Sequence, residues 1–280
     1  MRPVLAGLIV VAGLCTVTEA QWLQYRSAGV PRNRDGTVNL LAPAPRTADG
    51  RPDLSGVWLA ESTPVSEISA VLPGGENGLG ETVPNKYFLN ILWGVRPEQS
   101  PARPDTAALF DKHAAALGRD FPLTRCLPAG VPLLETMPAP HKVVQTAGLI
   151  VQLFEHDTTF RQIYTDGRPL PADPTPSWQG YSVGRWDGDW LIVTSIGFTD
   201  RSWLDALGHV HSEAMRVTER MRRRDFGHTD VEITIDDANA YLRAFTIAFT
   251  KVLMPDDDVL ELYCTENERD AEHIVGALRP

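Results

Sequence analysis

The second half of the chain alternates between apolar and polar positions in short segments, which glycine-containing or polar turn residues separate. This alternation is typical of β-strands, because successive side chains of a strand point to opposite faces. Together with an earlier segment at 55–61, it predicts about ten strands. The later segments are Lys142–Thr146, Leu149–Glu155, Thr159–Thr165, Tyr181–Trp186, Trp190–Ile196, Ser212–Arg224, Asp230–Asp236, Ala244–Leu253 and Val259–Thr265.

Most links between the later segments are short, and none of these links carries a helical pattern. Asp187-Gly188 is typical of a two-residue hairpin turn, because both residues tolerate the positive φ values that the turn requires. Strands joined by hairpins run antiparallel, and such a sheet must close on itself or cover its edges. We therefore predict an all-β fold, an antiparallel up-and-down β-barrel of about eight to ten strands with room for one small ligand.

One stretch before these strands, Asp105–Leu117, has the pattern of a helix. Pro104 and Asp105 are start signals, an apolar stripe follows, and Gly118 ends the pattern. We expect a single short helix here, accompanying the barrel.

The predicted domain organisation places one barrel domain at 55–280, with a loop and helix insertion at about 63–125. Within the insertion, 63–104 has little regular pattern, which is typical of a lid or an inserted loop. Residues 21–54 are rich in Pro, Arg, Gly and Asn and predict an extended arm on the surface of the barrel.

Residues 1–20 have the pattern of a cleavable export signal. Arg2 supplies the positive charge, Val4–Leu14 is an apolar run too short to span a bilayer, and Thr18-Glu19-Ala20 is a small-x-small cleavage site. We expect a periplasmic or secreted protein whose mature chain has no membrane span.

Composition and charge narrow the set of partners. The chain is 43% hydrophobic, enough for a proper core, and its formal net charge is −10. An acidic balance excludes nucleic acid as a partner, because that affinity depends on basic contacts to phosphate. The basic run Arg222–Arg224 is interpreted as a solvated strand end. The expected partner is a small-molecule ligand or substrate.

Two cysteines remain in the mature chain after Cys15 is removed with the signal. In an exported protein, Cys126 and Cys264 favour one disulfide, which would stabilise the fold by ~4–5 kcal/mol on the chain-entropy model. The alternative is a pair of buried thiols.

The segment before the long predicted strand at 212–224 is rich in polar side chains that can act as metal ligands, acids or bases. On a strand starting near residue 209, His209, His211 and Glu213 share one face, and Met215 and Val217 continue it inward. Two imidazoles and a carboxylate suit Zn²⁺ or Fe²⁺, so these three residues form one alternative, a metal site. The other alternative is a polar barrel rim, and we predict no required cofactor.

Acid–base chemistry requires fewer side chains to converge than a metal site does. A histidine at the barrel mouth, His211, oriented by Asp205 or Glu213, can move protons near neutral pH. We predict those three as the catalytic residues. The predicted ligand-binding residues are of three kinds. Trp203, Trp178 and Tyr181 offer aromatic surfaces, and Arg201 offers a positive charge. Glu219 is a carboxylate on an interior face, which must be paired or functional. For the tryptophans, core packing is the alternative.

Several stretches resemble known proteins. Gly56-Val57-Trp58 resembles the Gly-x-Trp that begins the first strand of lipocalins and related barrels. More of the chain resembles a family of uncharacterised secreted bacterial proteins, through PDLSGVW (52–58), RCLPAGVP (125–132), the block 160–189, GFTDRSWLD (197–205), HSEAMRVTERMRRRDFGH (211–228), TIDD (234–237) and ENERD (266–270). The resemblance implies secretion and no particular activity. It retains His211 but shows Asn or Thr at position 209.

Two classes of function follow from these patterns. The first is an exported enzyme of hydrolase or lyase type that acts on a sugar- or polyphenol-like molecule. The second is a non-enzymatic barrel that binds or carries such a molecule. Histidines and carboxylates converging in the cavity would favour the enzyme, and a purely apolar cavity would favour the carrier.

Overall fold

The structure is a computed structural model that describes residues 26–69, 81–116 and 118–266. The predicted export signal at 1–20 and the start of the arm at 21–25 lie outside the described residues. Leu117, the predicted last residue of the helix, lies outside them as well.

Nine strands form a closed barrel, which confirms the predicted fold class. Around the barrel the strand order is β1, β11, β10, β9, β8, β7, β6, β5, β4 and back to β1. All neighbours are antiparallel except β6 and β7, which are parallel. The strands are β1 (Gly56–Ala60), β2 (Thr63–Pro64), β3 (Thr82–Val83), β4 (His141–Thr146), β5 (Leu149–Phe154), β6 (Phe160–Tyr164), β7 (Tyr181–Asp187), β8 (Trp190–Ile196), β9 (Arg216–Arg223), β10 (His228–Asp236) and β11 (Phe245–Leu253).

The short strands β2 and β3 pair with each other outside the barrel. Between β7 and β8 the predicted hairpin is confirmed, but its turn residues are Gly188 and Asp189 rather than the predicted Asp187-Gly188. Asp187 is the last residue of β7 and pairs with Trp190. Gly188 has a φ of +58°, a value that glycine adopts without steric cost.

Alternation along the strands fills the barrel with side chains. Cross-strand rows on β8, β9 and β10 point inward, so that each row buries residues from all three strands. Two such rows are Leu191–Met221–Val231 and Val193–Glu219–Ile233, every member of which is buried. The second row confirms that Glu219 is an interior carboxylate.

Two predicted strand boundaries are wrong. The long strand begins at Arg216 rather than Ser212, because the Asp237 carboxylate binds the backbone N–H and the hydroxyl of Ser212 (2.6 and 2.8 Å) in place of a ladder partner. Residues 259–265 form no strand. The barrel already closes between β1 and β4, so no free edge remains there, and Leu262 makes only an isolated bridge to His156.

The predicted helix is confirmed as α3 (Pro104–Ala115), but it is not the only one. The described residues also contain the short helices α1 (Val65–Ser69), α2 (Lys86–Leu89) and α4 (Leu133–Thr136), with 3₁₀ turns at Pro97–Gln99 and Pro122–Arg125. Across these described segments, no helix has the length and apolar character needed to cross a bilayer.

The described part of the arm lies against the barrel through ion pairs and backbone contacts. Arg32 pairs with Asp256 at 2.6 Å, and Arg46 pairs with Asp189 of the β7–β8 loop at 2.8 Å. The backbone N–H of Leu54 donates to the Gln145 side chain on β4 at 2.8 Å. These contacts hold an otherwise irregular segment in place.

The predicted disulfide between Cys126 and Cys264 is confirmed, with the two Cα atoms 5.5 Å apart. It joins the segment before β4 to the segment after β11. Since the bridge closes a loop of 138 residues, the chain-entropy model assigns it a stabilisation of about 4–5 kcal/mol.

Candidate functional site

The loop between β8 and β9 is organised around the buried carboxylate of Asp205. Its Oδ1 accepts hydrogen bonds from the backbone N–H groups of Leu207, Gly208 and His209, at 3.1, 2.8 and 3.1 Å. Its Oδ2 accepts from the N–H of Ile91 at 2.7 Å and lies 2.5 Å from Nδ1 of His209. These bonds satisfy the backbone N–H groups of a tight loop that pairs with no strand. Because the carboxylate contacts the His209 ring, Asp205 orients His209 rather than His211.

Two aromatic stacks link this loop to α3. The His209 ring stacks on Phe110 with centroids 4.0 Å apart, and Trp203 stacks on His113 at 4.3 Å. Nδ1 of His113 also lies 3.0 Å from the carbonyl oxygen of Gly208. Trp203 is buried, so within the described residues it packs the helix onto the loop and offers no open platform.

His211 pairs with a serine that the sequence pattern did not single out. Its Nδ1 lies 3.0 Å from the carbonyl oxygen of Ser212, which can only accept, so Nδ1 carries the proton. Nε2 is therefore an acceptor, and the Ser202 hydroxyl donates to it at 2.8 Å. Burial lowers the pKa of His211. The pair thus consists of a neutral imidazole that accepts a hydrogen bond from a serine hydroxyl.

The structure does not bring His209, His211 and Glu213 together as three neighbours on one strand face. The prediction of a strand through 209–213 is wrong, because Asp205 and Asp237 hold this backbone in turns. His209 and His211 are buried in separate pairs, and Glu213 is exposed. Among the described residues, no group of three His, Cys, Asp or Glu side chains is arranged to hold a metal ion.

Inside the barrel, Glu219 forms an ion pair with Arg161 of β6. The guanidinium contacts both carboxylate oxygens of Glu219 and also Oε1 of Glu135 at 3.1 Å. Ser182, Ser195 and Gln152 accept its remaining hydrogen bonds at 3.1, 2.9 and 3.3 Å. The pair and its partners are buried, so Glu219 is held by structure and is not presented to a ligand.

The second oxygen of Glu135 binds the ammonium group of Lys251, which is also buried. Lys251 lies 3.1 Å from Nε2 of His141. Burial alone would raise the pKa of Glu135, but the surrounding positive charges, led by Lys251, and the hydrogen bond from Lys251 together outweigh burial, and the pKa is about 2. Burial, reinforced by Lys251, lowers the pKa of His141 to about 3. The cluster therefore holds two cations, two anions and a neutral imidazole at pH 7.

The barrel interior next to this cluster is nearly filled. A cavity of about 20 Å³ lies between apolar side chains and the polar groups of Gln152, Lys251 and Thr229. A volume of that size holds about one water molecule. This interior cavity is therefore too small for the organic ligand that the barrel prediction anticipated.

A larger cleft of about 460 Å³ opens in the barrel wall where β6 meets β7; we name it the seam cleft. Only two residue pairs, Ile163–Ser182 and Tyr164–Val183, join these strands. Before β7, Ser177 bonds with the backbone of Gly197 and Thr199 instead of with β6. The preceding segment carries Pro169, Pro171, Pro174 and Pro176, which cannot donate to a ladder. The two strands consequently separate at their N-terminal ends.

Aromatic side chains line much of the seam cleft. They are Phe160, Tyr164, Trp178 and Tyr181. Tyr164 and Tyr181 stack with centroids 5.3 Å apart, and Phe160 is 59% exposed. The Arg201 guanidinium lies over Trp178, 5.1 Å from the ring centroid. Two of the five predicted ligand-binding residues, Trp178 and Tyr181, thus line this cleft, and a third, Arg201, contacts the Trp178 ring.

Gln179 adds a polar group to the cleft lining. Its Nε2 donates to the carbonyl oxygen of Ala129 at 2.7 Å. Its Oε1 is enclosed and receives no hydrogen bond from any described residue. Buried acceptors in folded proteins usually accept a hydrogen bond, so this oxygen can accept one from a ligand.

The sequence patterns missed Ser202, Arg161, Gln179 and Phe160. For Arg161 a signal existed, because it shares strand parity with the buried Ile163 and so had to face an interior carboxylate such as Glu219. For the others no signal was present, since their positions depend on how the segments at 165–180 and 197–215 fold back.

The fold and the cleft define a closed β-barrel with a ligand-sized opening in its wall. No family model, no curated protein and no solved structure matches the chain.

Proposed function

We propose that this protein is a β-barrel that binds a small hydroxylated ring compound, of polyphenol or sugar type, in the seam cleft. What supports the proposal is the cleft itself: a volume of about 460 Å³ lined by aromatic rings. Small-molecule sites are typically clefts of about 300–1,000 Å³ with mainly apolar or aromatic walls and a few placed polar groups.

The barrel interior is less suited to a ligand than the cleft, which supports a binding site in the barrel wall. The interior cavity of about 20 Å³ is too small for a ring compound, and the interior charges are already paired. The predicted catalytic residues Asp205 and His211 are buried and Glu213 is exposed, and none of the three lines the seam cleft. Binding without catalysis is therefore the function that this geometry favours.

We further propose that the protein acts outside the cytoplasm, as a member of the secreted bacterial family that it resembles. The export pattern at 1–20 and the Cys126–Cys264 disulfide support this location, because disulfides persist in oxidising compartments.

Replacing Trp178 by alanine tests the proposal. We expect the protein to bind methyl 3,4-dihydroxybenzoate or methyl β-glucoside with a dissociation constant below about 1 mM, measured by calorimetry. Loss of the ring contact should weaken binding about tenfold. The matched control is Trp190→Ala, because Trp190 lies under Arg220 and Arg222 on the β8–β9 surface, away from the cleft. Binding of neither probe, or equal binding by parent and Trp178→Ala, would contradict the proposal.

A second candidate function is hydrolase-type catalysis, and the Ser202–His211 pair favours it. A serine hydroxyl that donates to a neutral imidazole has the arrangement of an activated nucleophile and its base. The imidazole is oriented by the Ser212 carbonyl rather than by a carboxylate. Gly130 covers the serine: a Cβ atom placed there would lie 2.6 Å from the Ser202 hydroxyl oxygen.

A fluorophosphonate probe tests whether Ser202 is a reactive nucleophile or only a buried hydrogen-bond partner of His211. If Ser202 is a nucleophile, mass spectrometry should find the probe on Ser202, and His211→Ala should slow labelling by about a hundredfold or more. His209→Ala is the control, because His209 contacts Asp205 and not Ser202. An unlabelled parent, under conditions that label a standard serine hydrolase, would refute the nucleophile.

A further inference from the structure

One cation beside the seam cleft lacks a partner. Arg201 is exposed, and in the described part of the chain its guanidinium makes the contact with Trp178 and no ion pair. Its neighbour Asp200 forms no ion pair with it. By contrast, Asp166 pairs with Arg168 at 2.6 Å, and the interior carboxylates neutralise Arg161.

The N–H groups of Arg201 make no hydrogen bond with any described residue, which leaves them available to an anion. A carboxylate binds a guanidinium through these in-plane N–H groups. Since the guanidinium lies 5.1 Å from the centroid of the Trp178 ring, it can bind an anion beside this ring of the cleft lining.

The Oε1 of Gln179 can accept a hydrogen bond from a ligand, since no described residue donates to it. A ring hydroxyl is such a donor, and a carboxylate is not. The chain neighbours Trp178 and Gln179 connect the two features: Arg201 lies over the Trp178 ring, and Gln179 carries the acceptor.

We infer that the seam cleft binds a hydroxylated aromatic carboxylate, with the ring against Trp178 and Tyr181, the carboxylate on Arg201 and a ring hydroxyl toward Gln179. This inference rests on the proposed binding function and narrows its ligand to an anion. A cleft of about 460 Å³ suits one such ring with its substituents.

Comparing 3,4-dihydroxybenzoate with its methyl ester tests the inference, because the pair differs in charge and keeps both hydroxyls. In calorimetry at low ionic strength, the parent should bind the acid about tenfold more tightly than the ester. The preference should shrink with added salt, as expected for an exposed charge. In Arg201→Gln the two affinities should agree within about twofold. Arg185→Gln should keep the preference, because this exposed arginine of β7 neither lines the cleft nor lies over one of its rings. Benzoate, which lacks the hydroxyls, should bind more weakly than the dihydroxy acid.

The outcomes separate the inference from the proposed function. Equal binding of acid and ester by the parent, or an unchanged preference in Arg201→Gln, overturns the anion assignment. If Trp178→Ala still weakens both compounds in that case, the cleft remains a binding site for neutral rings. Equal binding of benzoate and the dihydroxy acid overturns the hydroxyl assignment. If neither compound binds the parent, both the inference and the proposed function fail.

Discussion

Replacing Arg161 by methionine is expected to lower the free energy of unfolding by about 3–5 kcal/mol, because it leaves the Glu219 carboxylate buried without its cation. Glu219 and Arg161 are both almost completely inaccessible to solvent. The cost comes from an uncompensated charge in a medium that solvates it poorly, and not from the lost packing, since methionine fills much of the volume. Urea unfolding followed by tryptophan fluorescence measures it.

The double variant Arg161→Met with Glu219→Leu distinguishes charge imbalance from loss of shape. Removing both charges should recover most of the stability, to within about 1–3 kcal/mol of the parent, because Ser182, Ser195 and Gln152 still lose a hydrogen-bond partner. Arg220→Met is the surface control. Arg220 pairs with Glu232 at the exposed surface, where ion pairs contribute about 0–1 kcal/mol. A single Arg161 variant as stable as the parent would contradict the buried pair.

Acid should destabilise the protein in two stages that the buried cluster sets. The pKa of His141 falls from 6.5 to about 3 on folding, so between these values the unfolded chain binds a proton that the folded chain does not. Stability is therefore lost as the pH falls below 6.5, at about 1.4 kcal/mol per pH unit. The pKa of Glu135 falls from 4.5 to about 2, so its contribution is present above pH 4.5 and is lost as the pH falls toward 2.

His141→Gln separates the two stages. Between pH 6.5 and 4.5 the parent should lose about 2–3 kcal/mol through His141, and the slope in the variant should be smaller by about one proton. Urea unfolding at a series of pH values gives both slopes, whatever the variant does to absolute stability. NMR titration should show the His141 imidazole still neutral near pH 4. Identical slopes in parent and variant would mean that His141 protonates as readily in the folded protein as in the unfolded chain.

Much of the barrel was predictable because strand alternation records which face of each strand is buried. The alternation at Leu191–Val193 and Val231–Ile235 placed these side chains inside, and the same parity placed Glu219 among them. The Gly188 hairpin was predictable from turn chemistry, and the Cys126–Cys264 bridge from the presence of two cysteines outside the predicted export signal.

The candidate site was predictable only in part. Trp178, Tyr181 and Arg201 were chosen for their chemistry; the first two line one cleft and Arg201 contacts Trp178. The histidine face was inferred from a strand that does not exist. Side-chain carboxylates determine the conformation of that loop. Asp205 and Asp237 accept hydrogen bonds from backbone N–H groups that would bond to a neighbouring strand if the loop were a strand. Such long-range hydrogen bonds leave no periodic trace in the sequence.

The sequence by itself determined the fold class, the inward faces of the strands and the disulfide partners, because these depend on periodicity and composition. Only the tertiary structure decided that Arg161 neutralises Glu219, that Ser202 binds His211, and that the sheet opens between β6 and β7. The cleft exists because Ser177 bonds with the backbone beside Phe198 instead of with β6. The free energies that select one such pairing over another arise between residues far apart in the chain, where local pattern carries no information.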